Sequence, residues 1–185
     1  MKKLTIIISA MVLLASCSKQ SDDLTSPSSS NQVSEKTERP FTATFYATPD
    51  TNSPPTECSG DLPGFSAADY FLSGTATHLG LIDAQLSKLH HVSCNLSFAT
   101  ALLTTHVTVD LVAANGDVVH INGDDVVDVA NLLTAAGTSG AITGAWTVDG
   151  GSGRFIDATG SLTINGTVDL VSGSFSCECT GTISY

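Results

Sequence analysis

The chain has 185 residues, of which 42% are hydrophobic and only 14% charged, and its formal net charge is −11. Beyond residue 40 the imbalance is sharper: Lys88 and Arg154 stand against fourteen acidic residues, a formal charge of −12. Such a surface repels phosphate backbones, which argues against nucleic acid as a partner, and it disfavours anionic ligands outside a pocket that holds one of those two cations.

Residues 1–16 read as a lipoprotein signal peptide. Met1-Lys2-Lys3 is a basic start, and Leu4 to Ala15 is an apolar run shorter than the roughly 20 residues of a spanning helix. Leu14-Ala15-Ser16-Cys17 resembles the lipobox of bacterial lipoproteins. That resemblance implies cleavage before Cys17, a diacylglycerol on its sulfur and an acylated amine. Acyl chains hold a bilayer at about 0.8 kcal/mol per buried CH₂. No later segment is apolar enough to span a membrane, so the lipid is the expected anchor. Ser18, where some lipoproteins carry Asp, argues against inner-membrane retention and for the outer membrane. Ser21-Asp22-Asp23 resembles the short acidic export signals of surface lipoproteins in some Gram-negative bacteria; a plain solvated tether is the alternative, so a surface and a periplasmic face both stay open. Residues 17–40, rich in Ser, Thr, Asp, Glu and Gln, bury too little to offset their ordering entropy and read as a flexible tether.

Residues 41–185 read as one all-β domain. Alternation predicts strands over Phe41 to Ala47, Tyr70 to Leu79, Leu81 to Val92, Thr105 to Ala113, Asp117 to Gly123, Gly140 to Val148, Thr159 to Leu170 and Ser174 to Tyr185. Asp124 to Thr138 fits neither period and reads as a loop or helical turn. Eight antiparallel strands in succession predict an up-and-down barrel, which removes exposed edges, with a β-sandwich as the alternative. Asn115-Gly116 is a strong hairpin signal. Taken as a two-residue loop, it sets Val112 opposite Val119 and Leu111 opposite His120. Val107, Val109, Leu111 and Ala113 then share the apolar face with Val118 and His120, while His106 points to water. The remaining core comprises Ile142, Trp146 and Val148, then Leu162, Ile164, Val168 and Leu170, then Phe175, Cys177, Cys179, Ile183 and Tyr185.

Asp149 to Gly160 packs four glycines around Arg154-Phe155. A phosphate loop would lead into a helix with a lysine, and here a strand pattern follows. A repeat calcium loop would recur, and this one does not. The stretch therefore reads as a structural turn through Gly150, Gly151 and Gly153, with Phe155 tucked against the barrel end and Arg154 pairing with Asp149, Asp157 or nearby carbonyls. Gly150-Gly151-Ser152-Gly153-Arg154-Phe155 also resembles the Gly-Gly-Thr-Gly-x-Phe segment of allene oxide cyclase-like and dirigent barrels. Gly74-Thr75-Ala76-Thr77-His78-Leu79-Gly80 is similar to a second segment of bacterial proteins of that type. The resemblance implies an eight-stranded barrel with a central cavity. Dirigent proteins steer radical coupling and the plant cyclases close an epoxide into a ring, but no catalytic acid of theirs maps onto a matching motif here.

Four cysteines follow the lipid site, and an exported chain favours disulfides. Cys177 and Cys179 lie two apart on one strand, about 6.6 Å, near the upper limit for a bridge. Cys58–Cys94 is the favoured pair, leaving Cys177 and Cys179 as buried thiols or a strained pair. With His120 they could supply part of a metal site, but a core histidine is favoured and no metal or cofactor is expected. His90 and His91 point to opposite faces. Asp124-Asp125-x-x-Asp128 reads as a solvated loop. Asn95-Leu-Ser and Asn165-Gly-Thr match the glycosylation sequon by chance if the lipobox is bacterial. No Gly-x-Ser-x-Gly or His-Glu-x-x-His occurs. His78, His120, Cys177 and Cys179 are the candidate cavity residues. The expectation is a lipid-anchored envelope module that holds a small apolar ligand or acts as an interaction module through its rim. A cyclase- or isomerase-like enzyme is the alternative, marked by a cavity carboxylate or tyrosine beside His78 or His120. A structural surface protein with a filled interior is the third.

Overall fold

The computed structural model describes residues 36–185; the expected signal peptide, Cys17 and most of the expected tether lie outside them. The fold is all-β. In chain order come β1 (Glu38–Pro49), β2 (Thr56–Glu57), β3 (Ser59–Gly60), β4 (Ser66–Ala67), β5 (Tyr70–Ala76), β6 (Gly80–Ile82), β7 (Lys88–Ser97), β8 (Leu102–Val112) and β9 (Val118–Asp128). The one-turn helix α1 (Ala130–Leu133), β10 (Ser139–Ser152), a 3₁₀ turn (Gly153–Phe155), β11 (Thr159–Asp169) and β12 (Phe175–Ser184) follow. Among these residues no helix is long and apolar enough to cross a membrane.

Ten strands form one sheet in the order β3-β7-β8-β9-β10-β11-β12-β1-β5-β6. β5 also pairs with β7, through Tyr70↔Leu89 and Phe71↔Lys88, so the ladder returns on itself. β2 and β4 make a separate two-stranded sheet. Twelve strand segments thus replace the expected eight. The extra ones are two or three residues long, below the length at which alternation is visible.

Alternation decides the faces. In β1, Phe41, Ala43, Phe45 and Ala47 are buried, while Thr42, Thr44, Tyr46 and Thr48 are exposed. Phe45 stacks on Trp146 of β10 across the interior, at 6.4 Å between centroids. The expected inward residues of β8, β10, β11 and β12 are buried, with Leu170 and Tyr185 packed at the margin.

Four expectations need correction. β1 starts at Glu38, inside the stretch read as tether, because residues 38–40 pair with Thr182 to Ser184. The expected strand from Leu81 to Val92 is two strands, β6 and β7. Asp83 breaks it, its Oδ1 accepting from the amides of Gln85 and Leu86. β9 runs on to Asp128, so Asp124 and Asp125 lie in a strand, not a loop. The β8–β9 hairpin closes through three residues, not two. Ala113 N–H donates to Asp117 O, Gly116 N–H donates to Ala113 O, and Gly116 takes φ +87°. That is the geometry of a turn followed by a left-handed residue. The register therefore pairs Leu111 with Val119 and Asp110 with His120. A one-residue slip reverses every side chain of the second strand. His120 thus stands outside, its Nδ1 2.6 Å from Asp110 Oδ1, and Val119 and Ile121 take the buried face.

Candidate functional site

The interior holds an open cavity of about 330 Å³ at one end. Its wall is mostly apolar, with Leu89, Leu103, Val127, Ile142, Val168 and Phe175 among the lining residues. Polar side chains join them: Tyr70, His91, Thr105 and Asp125, with Ser66 and Ser172.

Asp125 lies on the buried face of β9, in step with Val119, Ile121 and Val127, and is only 3% exposed. Trp146 Nε1 donates to its Oδ1 at 2.9 Å. Gly144, one strand over, leaves the space: a Cβ there would lie 2.0 Å from Asp125 Oδ1. Removal from water disfavours the carboxylate. The Trp146 hydrogen bond opposes this, neighbouring Asp124 adds to it, and the pKa is pushed up to about 7. Near neutral pH this group can therefore both give and take a proton.

His91 is held in one tautomer. Its Nδ1 lies 2.8 Å from the Ala68 carbonyl, which can only accept, so Nδ1 carries the proton and Nε2 is left as an acceptor. Burial holds its pKa below 6.5, so the ring is neutral at physiological pH. Burial also pushes the Tyr70 phenol up; the Tyr70 ring packs edge-on against Phe175 at 5.1 Å.

A flap between β1 and β5 covers this end. Phe65, Ser66, Ala67 and Ala68 line the cavity from it. Asp69 pins its base, accepting from Ser53 Oγ (2.6 Å) and the His91 amide (3.1 Å), with His90 Nδ1 at 2.8 Å. Burial raises the Asp69 pKa, but these hydrogen bonds outweigh it and hold the carboxyl below its usual 3.8. The Cys58–Cys94 disulfide ties the flap to β7, with Cα atoms 4.6 Å apart. Thr56 Oγ1 adds a hydrogen bond to His91 O at 2.6 Å.

None of the four residues expected in a cavity lines this one. His78 occupies the β5–β6 turn at the opposite end, Nε2 3.0 Å from Pro40 O, its ring against Tyr185. His120 is outside. Cys177 and Cys179 are unpaired and buried on β12, where burial pushes both thiols up to about 12. The glycine-rich stretch forms that opposite end. Gly150 and Gly151 sit at a register shift of β10 against β9, and Gly153 opens the 3₁₀ turn. Phe155 is fully buried, edge-on to Tyr185 at 4.7 Å. Arg154 pairs with neither Asp149 nor Asp157. Its Nε lies 3.0 Å from Asp117 Oδ2 and its Nη2 donates to the His78 carbonyl, because the 3₁₀ turn aims it at the β8–β9 hairpin.

Sequence reasoning missed Asp125, His91, Tyr70 and Thr105 as one set. A signal existed for Asp125: extending the alternation of Val119 and Ile121 past Gly123 puts an acid on an apolar face. No protein-family model, curated protein or solved structure matches this chain.

Proposed function

We propose that this protein is a lipid-anchored outer-envelope protein whose strands make an eight-stranded up-and-down barrel that holds a small, mostly apolar ligand. The observation that carries the ligand role is the cavity: an apolar wall with a few convergent polar groups is the usual form of a small-molecule site. The closed ladder supports the barrel, because the eight longer strands β1, β5 and β7 to β12 follow one another around it. The likeness of Gly150 to Phe155 to the allene oxide cyclase-like and dirigent segment supports it further. The lipobox at Cys17 supports the anchor.

Native mass spectrometry and thermal shifts with envelope extracts, lipids and phenolics test the ligand role. A bound species or a stabilising shift is expected, and neither across broad panels overturns it. Labelled palmitate should tag the wild type and not Cys17→Ala; a Cys17→Ala protein that stays membrane-bound removes the lipobox reading. Protease shaving of whole cells then separates a surface from a periplasmic face.

One observation favours a second reading, an isomerase- or cyclase-like enzyme. Asp125, poised near neutrality inside an apolar cavity, suits proton transfer to and from a bound substrate. Turnover lost in Asp125→Asn with binding retained would select it.

A further inference from the structure

The polar groups of the cavity are one-sided. Its ionisable lining residues are Tyr70, His91 and Asp125, with no lysine or arginine among them. Asp125 spends Oδ1 on Trp146, and no second hydrogen bond reaches its carboxyl group among the described residues. No buried side-chain nitrogen or oxygen there is sealed off without a partner, so the free Oδ2 opens onto the cavity. His91, with Nδ1 committed to Ala68, adds an acceptor rather than a charge. A carboxylate or phosphate ligand would meet an acid with no compensating cation. A neutral hydroxyl could donate to Asp125 but would not offset the cost of its buried charge. An ammonium group does both.

We propose that the cavity takes a small apolar amine, bound as its ammonium ion with its N–H groups on Asp125 and its hydrocarbon part against the Phe175 and Ile142 wall. This rests on the ligand-binding role proposed above. The domain's −12 formal charge raises the local concentration of cations. The aromatic residues Tyr70 and Phe175 both line the cavity, and an aromatic lining suits a desolvated cation. The cavity volume sits at the small end of the usual 300–1,000 Å³ range, which limits the amine to a compact one. The ion pair also fixes the proton balance. An ammonium ion entering beside Asp125 stabilises the carboxylate, so the proton that the carboxyl holds in the empty cavity leaves to solvent. The other titratable groups around Asp125 are Asp124 on its own strand, Cys177 and Cys179 on β12, and Tyr70 and His91 of the lining.

Isothermal titration of the detergent-solubilised full-length protein, with micelle-only titrations subtracted, compares 2-phenylethylamine, 2-phenylethanol and 3-phenylpropanoate at pH 6. The amine should bind at least tenfold tighter than the alcohol, and the carboxylate weakest. Titration in two buffers of different ionisation heat should show proton release with the amine alone. Asp125→Asn keeps an acceptor for Trp146; it should bring the amine down to the alcohol's affinity and abolish proton release. A near-UV circular dichroism spectrum matching the wild type shows that the variant is folded. Equal affinities for amine and alcohol, a preference for the carboxylate, or amine binding indifferent to Asp125→Asn overturns the amine assignment and leaves the apolar-ligand role standing. No binding of any of the three also overturns the amine assignment, and the ligand role falls only if the broad panels above fail as well.

Discussion

At the end of the interior built by Phe41, Phe155 and Tyr185, the cation Arg154 finds both a carboxylate and a carbonyl, and the Phe155 and Tyr185 rings pack edge to face at 4.7 Å. At the other end Asp125 shares one oxygen with Trp146, keeps the other free, and faces a cavity. Both ends place a charged residue beside glycines and large aromatics. The closed end spends its polar groups on one another and so contributes stability. The open end leaves acceptors unspent under a flap, an arrangement that costs stability and suits binding. Substitutions should therefore separate the two: changes at the closed end move stability and spare the cavity, and changes at the open end move binding as well as stability.

The largest effect is expected from Phe155→Ala. Truncating a fully buried phenylalanine costs about 3–5 kcal/mol, and chemical denaturation measures it. Ligand binding at temperatures where the variant stays folded should not change; a loss below about 1 kcal/mol would mean that this end is not closed by packing. Next comes Cys58→Ser with Cys94→Ser. Opening a link across 36 residues costs about 2–4 kcal/mol. This pair should also weaken cavity binding, since the bridge holds the flap, and equal affinity would separate flap from site.

Asp125→Asn should act in the opposite direction and with a pH signature. The folded pKa of about 7 lies above the unfolded 3.8, so the folded state binds more protons between those values. Stability from this group is complete below about pH 4, falls as pH rises toward 7 and stays low above it. The difference in unfolding free energy between the variant and the wild type should therefore grow by roughly 3–4 kcal/mol from pH 4 to pH 8 in favour of Asn. The lowered pKa of His91 works the other way below 6.5, but it is common to both proteins and cancels in that difference. A flat difference would place Asp125 in contact with bulk water. Arg154→Lys is the smallest change. The side chain is half-exposed, so loss of the guanidinium fork costs about 1 kcal/mol or less in thermal unfolding, with no effect on binding. A variant with normal melting and abolished binding would move Arg154 into the site.

The sequence by itself determined the β class and the buried faces of β1, β8, β10, β11 and β12, and it favoured the Cys58–Cys94 pairing that the structure shows. The first two follow from a side-chain period of two, which is local. Only the tertiary structure decided the rest. Asn115-Gly116 signals a hairpin but not its length, and one residue in the turn put His120 outside and the Val119–Ile121 face inside. Whether β9 stopped at Gly123 or ran to Asp128 decided whether Asp125 is solvated or buried. The turn length is not visible locally, and Asp and Gly weaken the alternation that would carry β9 past Gly123. Asp125 is tolerated inside because Trp146 and Gly144 on the neighbouring strand supply a donor and a gap. Those two residues follow it by about twenty positions in the chain, and only the β9–β10 register sets them beside it.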